Sequence, residues 1–508
     1  VFLPLPTPDE IAAWDRETIR TLGIPGMVLM ENASREAVAV LLEDFGEVEG
    51  MDIHLFAGSG NNGGDAFAMA RHLADLNADV TVFHTKPKSR YTGEARANLN
   101  LCGKLGIPML HLGAVNIETL PQPDIIIDGL LGTGFQGELR QDYQRLVQGI
   151  NRLGERAYVL AIDIPSGLNG LTGKPQPDAV RADATATFQA AKLGLIGSRA
   201  EEFTGDLFVC SIGIPRLVQD RFAPRRWMIS DEIFRQLPPV EPDMHKGRAG
   251  HVLIVGGSQG LTGAPHLAAL GALRAGAGLV TVACPGALAE SIKAGAPEIM
   301  TLPIGSGTEW EKGDAARIAS HLDRFDAAVV GPGLGRTRKT VDFLNELVAM
   351  CPLPLVLDAD ALFCLAQRPE LLKSLSEKVV LTPHPGEMGM LTGRTSANVQ
   401  DDRIGTAEEF TRNTAATLVL KGSCTVVADN QRTCISPVSA PALAVGGSGD
   451  VLAGLVGSLL ARETAPFMAA CLGVYWHATA GLLLEERYPS RGNLAREIAT
   501  MLPEAAKE

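Results

Sequence analysis

The sequence predicts two unrelated α/β domains in tandem, each built on a mostly parallel sheet. Three observations predict it. Short apolar runs alternate with helical segments in both halves, the pattern of parallel strands covered by helices on both faces. A stretch crowded with prolines interrupts that rhythm near the middle of the 508 residues. The Gly-rich motifs of the two halves differ in spacing and order, so the chain reads as a fusion and not a duplication. At roughly 100–200 residues per domain the length allows about two to four domains, and either half is long enough to close its own core.

In chain order, residues 9–45 look helical, with good helix formers and a break at Gly23, Pro25 and Gly26. Strands are expected at 53–57, 80–84, 125–131, 159–164, 184–188 and 207–212, with helices at 65–76, 93–105 and 142–153. This series defines a first domain over 1–221. Residues 222–243 carry Pro224, Arg225, Arg226, Pro238, Pro239 and Pro242 and read as a linker. A second domain over 244–508 has strands expected at 252–255, 279–283, 328–331, 354–357, 379–381, 418–420 and 425–428.

Composition narrows the function classes. Hydrophobic residues make up 46% and charged residues 20%, the mix of a globular protein. Abundant Gly and only 5% aromatics favour tight helix–sheet packing. The net charge of −13 and the lack of a Lys/Arg-rich run argue against nucleic acid as a partner. Anionic ligands must then be held locally, by backbone N–H groups and helix N-termini. The eight cysteines form no C-x-x-C pair and read as reduced thiols of a cytoplasmic protein. Residues 1–8 lack the charged and apolar regions of a signal peptide, and the missing initiator Met suggests a trimmed start. The apolar run 451–461 is too short to span a bilayer and reads as a buried helix, so no membrane is expected as a partner. Ten histidines occur without zinc-binding spacing.

In the first half, Gly58-Ser-Gly-Asn-Asn-Gly-Gly-Asp65 follows an expected strand and opens an expected helix. It contains G-x-G-x-x-G, but the acid that would bind a ribose at the end of the next strand is missing, where His84-Thr-Lys86 stands. The loop still lets backbone approach a phosphate at a helix N-terminus. Asp128-Gly-Leu-Leu-Gly-Thr-Gly134 and Asp163-Ile-Pro-Ser166 place acids, hydroxyls and small residues past two further strands. Each alone reads as a helix cap, but together they converge on one crevice at the carboxyl ends of strands.

These motifs, with Met30-Glu-Asn-Ala33, Asp163-Ile-Pro-Ser-Gly-Leu168 and Lys192-Leu-Gly-Leu195, resemble the NAD(P)HX epimerase family. The resemblance implies a Rossmann-like, doubly wound sandwich that epimerises C6 of hydrated nicotinamide. It implies substrate binding by Asn61, Asn62, Gly63, Gly64, Asp65, Gly132, Thr133 and Gly134, and a K⁺ ion at Asn62, Asp128 and Ser166. Asp163 is the implied acid/base group, assisted by Lys192. Ala66 departs from the Gly usual in the family.

In the second half, Val445-Gly-Gly-Ser-Gly-Asp450 is a Gly-rich turn feeding a helix. Its N–H groups can hold a transferring phosphoryl group, and Asp450 can take a proton from an attacking hydroxyl. The plainer alternative is a helix cap after a flexible turn. No P-loop motif occurs. Asp358 and Asp360 alternate at a strand end, so at most one is expected to reach a site.

With Lys246-Gly-Arg-Ala-Gly-His251, the Gly256–Ala264 run, Gly331-Pro-Gly-Leu-Gly335, Leu357-Asp-Ala-Asp360, Thr382-Pro-His-Pro-Gly-Glu387 and Leu420-Lys-Gly-Ser-Cys-Thr425, this half is similar to the ADP-dependent NAD(P)HX dehydratases of ribokinase-like fold. The resemblance implies Asp450 as base, an anion hole at Gly446, Gly447, Ser448 and Gly449, and an adenine-nucleotide site at Lys421, Gly422, Ser423, Cys424 and Thr425. Ala264, Gly333 and His384 would touch the hydrated cofactor. Mg²⁺ would accompany ADP, with Glu387 near it. NADHX, NADPHX and ADP are the implied small-molecule partners, and a homo-oligomer is implied as well. The alternative is a small-alcohol kinase using ATP, carrying a non-catalytic binding module as its first half.

Overall fold

The computed structural model describes residues 1–507 apart from 136, 198, 489 and 490. The chain forms two units. One is Pro4–Arg226 and the other is Trp227–Glu508 together with Val1–Leu3.

The first unit contains α1 (Pro8–Arg20), α2 (Gly26–Asp44), β2 (Asp52–Ala57), α3 (Asn61–Asp75), β3 (Asp79–His84), α4 (Gly93–Lys104), β4 (Met109–His111), β5 (Ile125–Gly129), α5 (Gln141–Gly154), β6 (Tyr158–Ile162), β7 (Ala184–Phe188), α6 (Glu201–Thr204), β8 (Asp206–Cys210) and α7 (Arg216–Arg221). The strand β1 (Phe2–Pro4) precedes them in the chain but lies in the other sheet. The seven strands run in the order β4-β3-β2-β5-β6-β7-β8, all parallel. Side chains alternate across the sheet. Ile53, Leu55, Ile125 and Ile127 pack with α2, α3 and α4, while Phe56, Ile126 and Val159 pack with Val147 and Ile150 of α5. Both faces are therefore covered, which is why β5 is buried along its whole length. The winding reverses between β2 and β5, opening a crevice at their carboxyl ends.

The second unit continues with β9 (Arg226–Ile229), β10 (His251–Val255), α8 (Gly263–Arg274), β11 (Leu279–Pro285), α9 (Ala289–Lys293), β12 (Met300–Ile304), α10 (Asp314–Ala319), β13 (Ala327–Val330), α11 (Arg338–Met350), β14 (Leu355–Leu357), α12 (Asp360–Ala366), α13 (Pro369–Leu372), β15 (Val379–Leu381), α14 (Pro385–Thr392), α15 (Ser396–Asp401), α16 (Arg403–Thr411), β16 (Thr417–Leu420), β17 (Val426–Ala428), β18 (Thr433–Ile435), α17 (Ser448–Ala461), α18 (Pro466–Arg487) and α19 (Ala495–Ala505). Its sheet runs β1-β9-β18-β17-β16-β15-β14-β13-β10-β11-β12. Strands β16 through β12 in that order are parallel, whereas β16–β17 and β17–β18 are antiparallel. Small residues set its helix packing: a Cβ on Gly454 of α17 would lie 1.9 Å from the Ala268 carbonyl of α8.

Three differences from the sequence reading stand out. Residues 222–243 are not wholly a linker, because β9 and a 3₁₀ turn at Asp231–Gln236 lie within them, with Ile229 and Ile233 fully buried. Apolar residues between the prolines give this stretch something to bury. The strands β1, β4, β12 and β18 were not foreseen; β1, β4 and β18 have three residues each, too short for a periodicity signal. The described helix long and apolar enough to cross a membrane is α18, not the shorter α17, and 72% of its apolar window is buried inside the unit.

Candidate active sites

In the first unit, the loops past β2, β3, β5 and β6 surround a cavity of about 850 Å³. Gly58 permits the closeness of two of these loops, since a Cβ there would sit 1.8 Å from the Leu130 carbonyl. Asn61, Asn62, Asp65, Gly132, Thr133 and Gly134 line the cavity. Gly63 and Gly64 do not. They are buried spacers: a Cβ on Gly63 would meet the Gly58 carbonyl at 1.9 Å, and one on Gly64 would strike Met30.

Asp163 lies just past β6 in the left-handed region, at φ 64°. For a non-glycine residue that conformation costs roughly 1–2 kcal/mol, a strain that clusters at functional positions. Its carboxylate pairs with Lys192, which is 1% exposed and also donates to Thr187 Oγ1 at 2.8 Å and to the Phe188 carbonyl at 3.0 Å. All three ammonium protons are thereby engaged, so Lys192 fixes the carboxylate in the cavity wall.

Asp128, Ser166 and Asn62 converge beneath the cavity. Ser166 Oγ donates to Asp128 Oδ1 at 2.6 Å and the Ser166 N–H to Asp128 Oδ2 at 2.7 Å. Leu131 binds the group on both sides: its N–H donates to Ser166 Oγ at 2.8 Å and its carbonyl accepts from Asn62 Nδ2 at 2.9 Å. Asp128 is fully buried, and burial pushes its carboxyl up to about 6, against the hydrogen bonds from Ser166 and Leu130. Among the described residues no lysine or arginine pairs with it. A single buried carboxylate beside neutral hydroxyl, amide and carbonyl oxygens is a donor set that suits a hard monovalent ion.

The sequence reading missed Asp15 of α1, which lines the same cavity. Burial and the charge of Asp163 push its carboxyl up to about 6, with Lys192 opposing. Asp15 sits next to Trp14, between the buried Ile11 and Thr18 of α1; that apolar spacing marks the packed stripe of the helix but not what the acid faces. Asp65 is likewise raised well above the usual range, by burial and then by Asp163 and Asp15.

In the second unit, the loops after β10, β13, β14, β15 and β16 leave the same edge of the parallel sheet, and the α17 N-terminus faces them. Gly333, at φ 61°, packs on Leu261 and Ala264, and its carbonyl accepts from Ser258 Oγ at 2.9 Å, so the two Gly-rich loops touch. Gly447 turns the chain into α17 at φ 94°, and Ser448 Oγ lies 3.3 Å from Nε2 of the buried His477. Burial lowers that imidazole to about 4 and keeps it neutral. A Cβ on Gly449 would lie 3.0 Å from Lys421 Nζ, which brings the lysine to the turn.

Lys421, expected to line an adenine-nucleotide site, turns its ammonium toward this turn and the carboxylates beside it. Its ammonium donates to Asp358 Oδ1 at 2.8 Å and sits 3.9 Å from Glu387 Oε2. Burial opposes that ammonium, but Asp358, Glu387 and Asp450 together hold its pKa above the usual lysine value. The rest of the loop is clamped by Arg403, another residue missed from sequence, whose guanidinium donates to the carbonyls of Ser423 and Cys424. Cys424 is buried, and Thr425 Oγ1 turns back to the Gly422 carbonyl at 2.8 Å.

Asp358 and Asp360 do not alternate along a strand. β14 ends at Leu357, Ala359 adopts φ 51°, and Asp360 opens α12. Asp358 accepts from Lys421 and from Thr382 Oγ1 at 2.7 Å, whereas Asp360 takes Arg336 Nε at 2.6 Å and the Gly335 N–H at 2.9 Å. His384 caps α14: its Nδ1 accepts from the Gly386 N–H at 3.0 Å, and its own N–H donates to Glu387 Oε2 at 2.8 Å. Its side chain remains 56% exposed, with Nε2 3.4 Å from Glu387 Oε1, so one face of the ring is open to solvent while both nitrogens have protein partners. Burial pushes Glu387 up to about 7, with Lys421 opposing. Asp450 is pushed up to about 8, by burial and then Asp358, with Lys421 again opposing. This edge thus gathers a Gly-rich turn at a helix N-terminus, a buried ammonium and carboxyls poised near neutrality, parts that suit phosphoryl transfer.

Comparison with known proteins bears on both units. Residues 252–504 match the family model described as NAD(P)H-hydrate dehydratase, and residues 26–194 match that of the YjeF-related protein N-terminus. The chain is 38% identical over 98% of its length, and 96% of the relative's, to a bifunctional NAD(P)H-hydrate repair enzyme of Moorella thermoacetica. It is 36% identical to that of Salinibacter ruber, over 99% of this chain and 96% of the relative. Among solved structures, an ADP/ATP-dependent NAD(P)H-hydrate dehydratase of Bacillus subtilis is similar at 27% identity and a TM-score of 0.46, covering 54% of this chain and 95% of that one.

Proposed function

This chain belongs to the bifunctional NAD(P)H-hydrate repair enzymes, and from that premise we propose a division of labour between its two units. The first interconverts the C6 epimers of hydrated NADH and NADPH. The second uses ADP to dehydrate the S epimer, giving NAD(P)H, AMP and phosphate. The observation that carries the reading is the presence in one chain of two separately built strand-end sites. One is a cavity with a fixed carboxylate–lysine pair, the other a Gly-rich turn beside a buried lysine and an aspartate.

In the first site, C6 of the hydrated ring carries both a hydroxyl and the ring nitrogen. Asp163, held by Lys192, takes the hydroxyl proton as the C6–N1 bond opens to an aldehyde. The proton passes to N1, and reclosure on the other aldehyde face inverts C6. Asn61, Asn62, Asp65 and the Gly132–Gly134 turn hold the substrate. Asn62, Asp128 and Ser166 would hold K⁺, which when bound supplies the positive charge that Asp128 lacks.

In the second site, the C6 hydroxyl attacks the terminal phosphorus of ADP while Asp450 accepts its proton. N–H groups of Gly446–Gly449 stabilise the phosphoryl oxygens, and AMP leaves. The new phosphate then departs as the N1 lone pair moves in, and loss of a C5 proton restores the dihydronicotinamide. Lys421, fixed by Asp358, neutralises developing charge, while Ala264, Gly333 and His384 contact the cofactor and the 422–425 loop borders the nucleotide. Mg²⁺ when bound would neutralise the diphosphate, and Glu387 and Asp358 are the carboxylates that would hold it. Eight cysteines without a disulfide among the described residues support a cytoplasmic location, where we also place a homo-oligomer.

The test is recovery of dihydronicotinamide absorbance from chemically hydrated NADPH, given the protein, ADP and Mg²⁺. Near-complete recovery is expected. Rapid recovery of the repairable fraction followed by a slow tail would leave the first unit a binder. No recovery with either ADP or ATP would overturn the reading and favour the small-alcohol kinase.

A further inference from the structure

The cavity of the first unit runs along the strand ends from Asp163 past β6, through Leu131–Gly134 past β5 and Ser59–Asn62 past β2, to Lys86 past β3. These are four adjacent strands, so the path covers three strand spacings, about 14 Å in all. That is longer than a mononucleotide and suits an extended dinucleotide. With nicotinamide at Asp163 and the diphosphate at the α3 N-terminus, the adenosine ribose falls at the end of β3. In doubly wound sheets an acid at that position binds the ribose 2′-hydroxyl, and a cation there accommodates a 2′-phosphate.

Here the position holds a cation. Lys86 is exposed at the cavity wall and, among the described residues, has no carboxylate partner. Its backbone is pinned: the Thr85 N–H donates to the Ala57 carbonyl at 3.1 Å, and the Lys86 carbonyl accepts from His84 Nδ1 at 2.7 Å. Exposed Lys88 and Arg90 follow, a local positive patch in a chain of net charge −13. Glu94, an acid lining the same cavity, is turned toward the start of α2, its Oε1 2.7 Å from where a Cβ of Gly26 would lie. A helix N-terminus favours a carboxylate there.

We infer that Lys86 is a specificity-determining residue that reads the adenosine 2′-phosphate, making the first unit selective for hydrated NADPH over hydrated NADH. This rests on the epimerase reading of the same cavity. A charge-assisted contact to phosphate is worth about tenfold or more in affinity.

The experiment measures interconversion of the purified epimers of hydrated NADPH and hydrated NADH without ADP, together with Kd for NADP⁺ and NAD⁺, in the wild-type chain, Lys86→Ala and Lys86→Glu. The wild type should prefer hydrated NADPH in kcat/KM. That preference should fall about tenfold in Lys86→Ala, through KM for hydrated NADPH, and invert in Lys86→Glu. Turnover with an unchanged preference, or equal losses for both substrates, overturns the inference and leaves the epimerase reading intact. Absent turnover with a Lys86-dependent preference for NADP⁺ overturns the epimerase reading and keeps the 2′-phosphate site.

Discussion

At the scale of single residues, both sites place carboxyls where burial works against their charge. Asp450 shows the consequence most directly, being pushed from the ordinary aspartate range up to about 8. A folded-state pKa above the unfolded one gives stability that is complete below the unfolded value and is lost as pH rises through the folded value. Asp450 therefore destabilises the fold progressively between about pH 4 and pH 8. Asp450→Asn should melt roughly 2–6 °C above the wild type at pH 9, with the gap closing toward pH 4. The same variant should lose about 10²–10⁴-fold in dehydration rate, the range for a positioned general base. Thermal melts at the two pH values and a dehydration assay check both; an active Asp450→Asn would remove the residue from the chemistry. Asp450 was legible in the sequence because a Gly-rich turn announced it. Asp15 and Arg403 were not, because an acid or arginine on a helix acquires meaning only from what it faces.

At the scale of elements, the loops past β5 and β6 are tied by Asp128, Ser166 and Leu131, and α3 joins them through Asn62. A hard cation bound there would cross-link three elements. Ligand binding to the native state alone stabilises it by mass action. The first unit should therefore melt higher in KCl than in NaCl at equal ionic strength, by an amount that grows with K⁺ concentration. Asp128→Asn should erase the difference. Equal melting of the wild type in both salts would remove K⁺ from this site. The element boundaries near these loops were read from sequence to within a few residues, since the strands are buried on both faces and appear as unbroken apolar runs. The role given to Lys421 shifted because motif position fixes where a backbone sits. The direction of a long side chain is decided by partners such as Asp358, distant in sequence.

At the scale of the whole molecule, Val1–Leu3 belong with Trp227–Glu508 although Pro4–Arg226 lies between them. The β1 strand extends an edge of the 11-stranded sheet beside β9, and the Ser230 N–H donates to the Val1 carbonyl at 2.9 Å. Deleting residues 1–3 should lower the second unit's stability by about 1–2 kcal/mol, the worth of a few edge hydrogen bonds, with dehydration lost at lower temperature and epimerisation unaffected. Identical heat inactivation of dehydration in the truncated chain would show that the strand contributes nothing. By itself the sequence determined the two α/β units, their order and most of the strand-end motifs. Those depend on local periodicity, glycine freedom and spacing along the chain, all written in consecutive residues. Only the tertiary structure decided that the first three residues serve the last unit and that Asp15 joins the first site. It likewise decided that Gly63 and Gly64 are spacers and that Lys421 faces the Gly-rich turn before α17. These depend on which distant segments meet, and on the loss of water around the charges that do.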